Sequence, residues 1–289
     1  LPVYGNLMSI TTQQMDIQVP ASIPAGLTTV RYTNNSDMTH FVVFEKMPMV
    51  DGVQKDVQNT IDDVVPVFDR GMQLINEGKM DEAMAAFGEL PAWFPEVVFS
   101  GGVGLTGPQS VSQATFNLLP GTYTIECYVK SNGTFHSVDG MVAKVVVNDS
   151  GSDADPELPE ANVVVDVNED GFVLNGTPSE GLQTFRVNYN HQQVHENFVM
   201  HDVNVVRLEP ETNPNEVQVW INWIDPNAFQ TPAPAKFIGG LQEMVAGRSG
   251  VFTVRLKPGE YALISEVPES NKKGLFKTFT VASANVSQQ

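Results

Sequence analysis

PGTYTIECYVKSNGTFHSVDGM, residues 120–141, carries Cys127, the only cysteine in a chain of 289 residues. His136 follows it after eight intervening residues, and Met141 follows His136 after four. In Thr122–Cys127 the residue types alternate. Tyr123, Ile125 and Cys127 share one strand face, and Thr122, Thr124 and Glu126 share the other. Cys127 is therefore expected to point inward at the end of a strand. Ser131–Gly133 reads as a turn. Met141 opens a second strand, MVAKVVV, with Met141, Ala143 and Val145 on one face. A loop between two neighbouring strands can thus bring a thiol, an imidazole and a thioether to one point.

A fourth donor is available upstream. VRYTNNSDMTHFVVF, residues 30–44, reads as a strand, a polar turn near Asn34–Asp37 and a second strand. His40, Val42 and Phe44 alternate onto one face, so His40 heads an inward row. Two imidazoles, one thiolate and a weak axial thioether form the donor set of a type 1 copper centre, which serves both oxidation states with little rearrangement. The thiolate must lose its proton, which metal binding itself brings about.

These segments resemble a known family. NNSDMTHFVVF looks like the first-histidine segment of plastocyanin-like cupredoxins, and the 120–141 stretch looks like their cysteine loop. Its length is closer to the type 1 domain of copper nitrite reductases. The resemblance covers residues 12–147 in outline. It implies His40, Cys127 and His136 as equatorial ligands of one copper and Met141 as the axial ligand, with His136 the more exposed histidine. One position departs from the pattern. Cupredoxins commonly carry Asn after the first histidine, and this chain has Phe41.

The acidic, proline-containing run NDSGSDADPELPE, residues 148–160, reads as a linker. It separates 1–147 from 161–289, and the two parts look like repeats. GLTTVRYTNNS from Gly26 parallels GLQTFRVNYNH from Gly181, PGTYTIEC parallels PGEYALIS, and MVAKVVV parallels LFKTFTV. The expected fold is all-β: two tandem cupredoxin-like Greek-key sandwiches. The second copy has Ser265 in place of Cys127 and Leu275 in place of Met141, and its intervening loop lacks histidine. It is expected to hold no metal. His201 or His195 could match His40.

Each half carries an insertion. Residues 53–90 read as two or three short helices, interrupted at Pro66, with Met72, Met80 and Met84 as core. Residues 209–238 are proline-rich. If Trp220–Ile224 is a strand, both of its faces carry a tryptophan. Gly101–Gly104 read as a turn. His191 and His195, in NYNHQQVHENF, read as ordinary polar residues of a turn.

Net charge is −18, with an isoelectric point near 4.5. That argues against nucleic-acid partners and anionic membrane surfaces. No run approaches 18 apolar residues, so membrane insertion is not expected. The chain opens on Leu1 without a leader pattern, as a processed periplasmic or secreted protein would. Its five histidines include no His-x-His pair, and Tyr128, not histidine, follows Cys127. Oxidase and nitrite reductase chemistry are therefore not expected. The expected role is an electron carrier meeting a redox partner protein. The alternative is a metal-free or copper-handling extracytoplasmic binding protein on the same scaffold.

Overall fold

The computed structural model describes residues 1–152 and 154–284. Seven principal strands recur in each half. In the first they are β1 (Asn6–Gln13), β2 (Gly26–Asn34), β3 (His40–Lys46), β4 (Val98–Thr106), β5 (Ser110–Leu118), β6 (Gly121–Glu126) and β7 (Val142–Asn148). In the second they are β8 (Val163–Asn168), β9 (Gly181–Tyr189), β10 (Val203–Leu208), β11 (Lys236–Leu241), β12 (Ser249–Leu256), β13 (Gly259–Ile264) and β14 (Phe276–Val281). Each strand of the second half thus repeats the one seven places before it. The tyrosines of the paralleled motifs repeat too. Tyr123 Oη donates to the Leu119 carbonyl at 2.7 Å, and Tyr261 Oη to the Lys257 carbonyl at 2.8 Å.

The halves share two continuous sheets. One runs β8-β9-β12-β5-β2-β1, and the other runs β14-β13-β10-β11-β4-β3-β6-β7, with a short strand added at the outer edges. Both seams are antiparallel. Phe252 faces Ala114 where β12 meets β5, and Leu241 faces Val103 where β11 meets β4. The two sheets face each other across one hydrophobic core that includes Tyr32, Phe44, Phe116, Phe185 and Phe252. Gly101–Gly104 lie inside β4 and do not form the expected turn. A Cβ on Gly102 would stand 2.0 Å from the Val42 carbonyl oxygen, and one on Gly240 2.0 Å from that of Val203. Only glycine permits this backbone approach beside the seam.

Burial explains what the insertions do. β8 alternates buried and half-buried residues, as one covered face requires, whereas six consecutive residues of β3 are buried. The outer face of β3 and β6 is covered by the helices of the first insertion. These are Val57–Asn59, a wide turn at Thr60–Val64, Val65–Asn76 and Met80–Phe87. Pro66 falls where the wide turn Thr60–Val64 passes into Val65–Asn76, at the start of that helix. Met72 is core as expected, but Met80 and Met84 are exposed. Residues 214–220 form a helix, Pro214–Trp220, so the conditional strand over Trp220–Ile224 is not found. Asn213 caps this helix by accepting from the Asn215 N–H, and Pro214 starts it. Trp220 and Trp223 are both buried. Phe68 and Phe87 of the first insertion pack edge-on against Phe198 and Trp223 of the second half. Among the described residues, no helix is long and apolar enough to cross a membrane.

Candidate metal centre

His40 is the first residue of β3, and Cys127 follows the last residue of β6. The chain then makes a small hairpin, Lys130–Ser131 against Thr134–Phe135, turned by Asn132 (φ 52°) and Gly133 (φ 80°). Asn-Gly suits this because both turn residues need positive φ. His136 comes next. Three backbone bonds then close the loop. His136 N–H donates to Val129 O at 2.8 Å, Met141 N–H to His136 O at 3.0 Å, and Cys127 N–H to Met141 O at 3.2 Å. Side-chain positions at the site therefore rest on strand ends and a pinned loop.

The three equatorial residues expected from the sequence converge. Cys127 Sγ lies 3.6 Å from His40 Nδ1 and 3.9 Å from His136 Nδ1, and the two nitrogens are 3.1 Å apart. Metal bonds of about 2.0–2.1 Å to nitrogen and about 2.3 Å to sulfur give a planar trigonal set edges of about 3.6 Å (N–N) and about 3.8 Å (N–S). The observed triangle lies within about half an ångström of that set, so the donors fit one small ion. Met141 is fully buried, and its backbone bonds hold it against Cys127 and His136.

All three donors are fully buried, and burial sets their protonation. It pushes the Cys127 thiol up to about 12, although the backbone N–H groups of Phe41 and Val129 favour the thiolate. Burial lowers His40 to about 4, outweighing the Gln14 backbone and the Asp37 carboxylate. It lowers His136 to about 3, with neighbouring His40 adding to the shift. Without a metal, the site at neutral pH holds a thiol and two neutral imidazoles. It is thus free of stored positive charge and can accept a cation by losing one proton.

His136 is as buried as His40, which contradicts the expected exposed edge. The cause is a cap from the second half. Lys130 N–H donates to Phe229 O at 2.7 Å, Thr231 N–H to Lys130 O at 2.8 Å, and Gly133 N–H to Gln230 Oε1 at 3.0 Å. Lys130 Nζ, itself buried, donates to the carbonyls of Trp223 and Asp225. One neighbour of the site had no signature in the sequence. Ser131 Oγ lies 2.8 Å from His136 Nε2 and fixes the ring from behind. Phe41, where cupredoxins commonly have Asn, packs edge-on against Tyr128 with ring centroids 4.6 Å apart. An aromatic contact thus braces the cysteine loop.

The second half preserves the backbone of this loop without its ligands. Ser265 N–H donates to Leu275 O at 3.0 Å, and Leu275 N–H to Ser270 O at 2.8 Å. These match the Cys127–Met141 and Met141–His136 bonds, so Ser265 and Leu275 stand where Cys127 and Met141 do. Gly102 pairs with Val43 as Gly240 pairs with Asn204, which puts His201 at the position of His40. His195 Nε2 lies 2.8 Å from His201 Nε2 and satisfies it by a hydrogen bond. The loop 190–199 is a turn region, as read from the sequence.

No family model matches the chain, and no curated protein matches it. Solved structures do. A sodium-dithionite-reduced auracyanin from Roseiflexus castenholzii is 21% identical, spans 50% of this chain and 98% of its own, and has a TM-score of 0.30. Auracyanin A, a "blue" copper protein from Chloroflexus aurantiacus, is 17% identical, spans 49% and 98%, and has a TM-score of 0.30. A copper-containing nitrite reductase from Thermus scotoductus is 11% identical, spans 96% of this chain and 61% of its own, and has a TM-score of 0.23. With its two repeated sandwich halves and a His-Cys-His cluster at the strand ends of the first, the chain has a cupredoxin-like fold.

Proposed function

We propose that the first half binds one type 1 copper and that the protein carries electrons. The observation behind this is the convergence of His40 Nδ1, Cys127 Sγ and His136 Nδ1 into one buried triangle. A bound copper would supply one-electron chemistry there. The chain's own part is to hold the donors. Cys127 gives up its proton and binds as thiolate. Its sulfur also faces the N–H groups of Phe41 and Val129, which stabilise negative charge. His40 and His136 bind as neutral imidazoles, with Ser131 orienting the latter. Met141, fully buried and held by its backbone beside Cys127 and His136, would supply the thioether donor. Burial excludes water and keeps reorganisation small.

The same reading makes residues 1–147 the copper-bearing domain, 148–160 a linker and 161–289 a domain without copper. It assigns no catalytic step to the chain. It places the protein in the periplasm or outside the cell, with a redox protein as partner. One observation favours the rival reading of a metal-free binding scaffold: the cap over His136 removes the exposed ligand edge. Metal analysis separates the two. Protein prepared in copper-containing medium should hold one copper per chain, and Cys127→Ala should hold almost none. Equal metal content in both would reject the assignment.

A further inference from the structure

Asp202, Glu243 and Glu266 form a second cluster. They are 0%, 0% and 1% exposed, and one carboxylate oxygen of each lies within 4.8 Å of the others. No lysine or arginine pairs with any of them among the described ion pairs. Part of the cluster is accounted for. Asp202 Oδ1 accepts from Ser265 Oγ and from the Glu266 N–H, each at 2.8 Å, and Oδ2 accepts from Asn204 Nδ2 at 2.7 Å. Tyr128 Oη donates to Glu266 Oε1. Glu243 is different: both of its oxygens are buried and neither has a partner. A fully buried carboxyl with nothing to bond is a costly arrangement, and two such oxygens facing two more acids make it costlier.

The placement of the three gives the cluster a meaning. Asp202 precedes β10, Glu243 follows β11 and Glu266 lies just beyond β13. They gather at the end of the second half that matches the His40–Cys127 end of the first. By the backbone correspondences above, Asp202 stands at the position of Phe41 and Glu266 at that of Tyr128. The second half has kept convergent strand ends but equipped them with oxygen donors. Three carboxylates without nitrogen or sulfur suit hard divalent cations such as Mn²⁺, Ca²⁺ or Mg²⁺ and are a poor match for Cu(I).

We propose that Asp202, Glu243 and Glu266 bind one hard divalent cation, making the second half a metal domain of a different kind. The unpartnered Glu243 oxygens supply the open coordination positions, and Asp202 is preset by its three donors. Tyr128, directly after Cys127 and hydrogen-bonded to Glu266, joins this site to the first. The inference stands apart from the copper reading, because none of its ligands is shared.

The test is a Mn²⁺ titration of chelator-treated, copper-free full-length protein, followed by electron paramagnetic resonance of free Mn²⁺. One Mn²⁺ should bind per chain more tightly than to the rest of the acidic surface. Glu243→Gln and Glu266→Gln, which preserve volume, should each weaken that site at least tenfold. Asp63→Asn, at an exposed acid, should leave it unchanged. Competition by Ca²⁺ and Mg²⁺ then tells which cation size fits. Only weak binding equal to that of the acidic surface, in wild-type protein, would overturn the proposal. So would undiminished binding in either glutamine variant. Should one variant fail to fold, the other and the wild-type stoichiometry still decide.

Discussion

Raising the pH from 6 to 8 should tighten Cu(I) binding about 100-fold. The magnitude follows from three burial-driven shifts. The Cys127 thiol is pushed up to about 12, while His40 and His136 are held down to about 4 and about 3. Between about pH 5 and about pH 11, the metal-free site therefore carries one proton that must leave, on sulfur. Each pH unit then changes the binding constant tenfold, and two units amount to about 2.7 kcal/mol. At pH 7, ionising a thiol five units below its pKa costs about 7 kcal/mol, which the metal–thiolate bond must exceed. Below pH 4 the imidazoles compete as well, and the dependence steepens. The assay is competition against a Cu(I) chelator across pH, with calorimetry in two buffers to count protons released. One proton per copper is expected. A release of zero would refute the reasoning, because the sulfur would then be ionised beforehand or not bound.

Other consequences are open to direct measurement. Ser131→Ala removes the contact behind His136 Nε2 and should weaken copper binding about tenfold or more, with little change in folding. Phe41→Ala deletes a fully buried ring lying against Tyr128 and should lower unfolding free energy by about 3–5 kcal/mol in denaturant titrations; a loss under about 1 kcal/mol would deny it a bracing role. Tyr123→Phe removes one hydrogen bond and should cost about 0.5–1.5 kcal/mol, and Tyr261→Phe should cost more, because Tyr261 Oη also accepts from Arg207 and from the Lys257 N–H. In the metal-free protein the two site histidines should take stability away as pH falls below about 6.5, set against a gain from the buried acids Asp202, Glu243 and Glu266, whose carboxyls burial pushes up. His40 and His136 have lowered folded pKa values, so the unfolded chain takes up protons first. Thermal melts over pH 7 to 4 read the histidine part as a difference: relative to wild type, a variant with either histidine replaced should lose less stability, or gain more, as pH falls.

Strand alternation and ligand spacing made much of the site legible. Cys127 and His40 lie at the ends of strands whose inward rows can be counted in the sequence. Ser265 and Leu275 were identifiable as their replacements because the PGTY and PGEY motifs fix the register. The rest depends on contacts between distant segments. Glu126 shares a strand face with Thr122 and Thr124, a face that period-two reading leaves to solvent. Yet Thr124 is fully buried, because the first insertion covers it. His136 lost its expected exposure to Phe229–Thr231, roughly a hundred residues away in the chain. The seams between β5 and β12 and between β4 and β11 are backbone pairings whose only trace in sequence is the glycine pairs near 101 and 239. Asp202, Glu243 and Glu266 share no motif. Only the folded sheet brings them together.

The central claim is that Cys127 binds copper as a thiolate and exchanges one electron. Its most direct measurement is the visible spectrum of copper-loaded protein during a redox titration. An intense thiolate-to-copper absorption should vanish on addition of one reducing equivalent per chain and return on reoxidation, and it should be missing in Cys127→Ala. A copper-loaded, oxidised protein without that absorption would contradict the account.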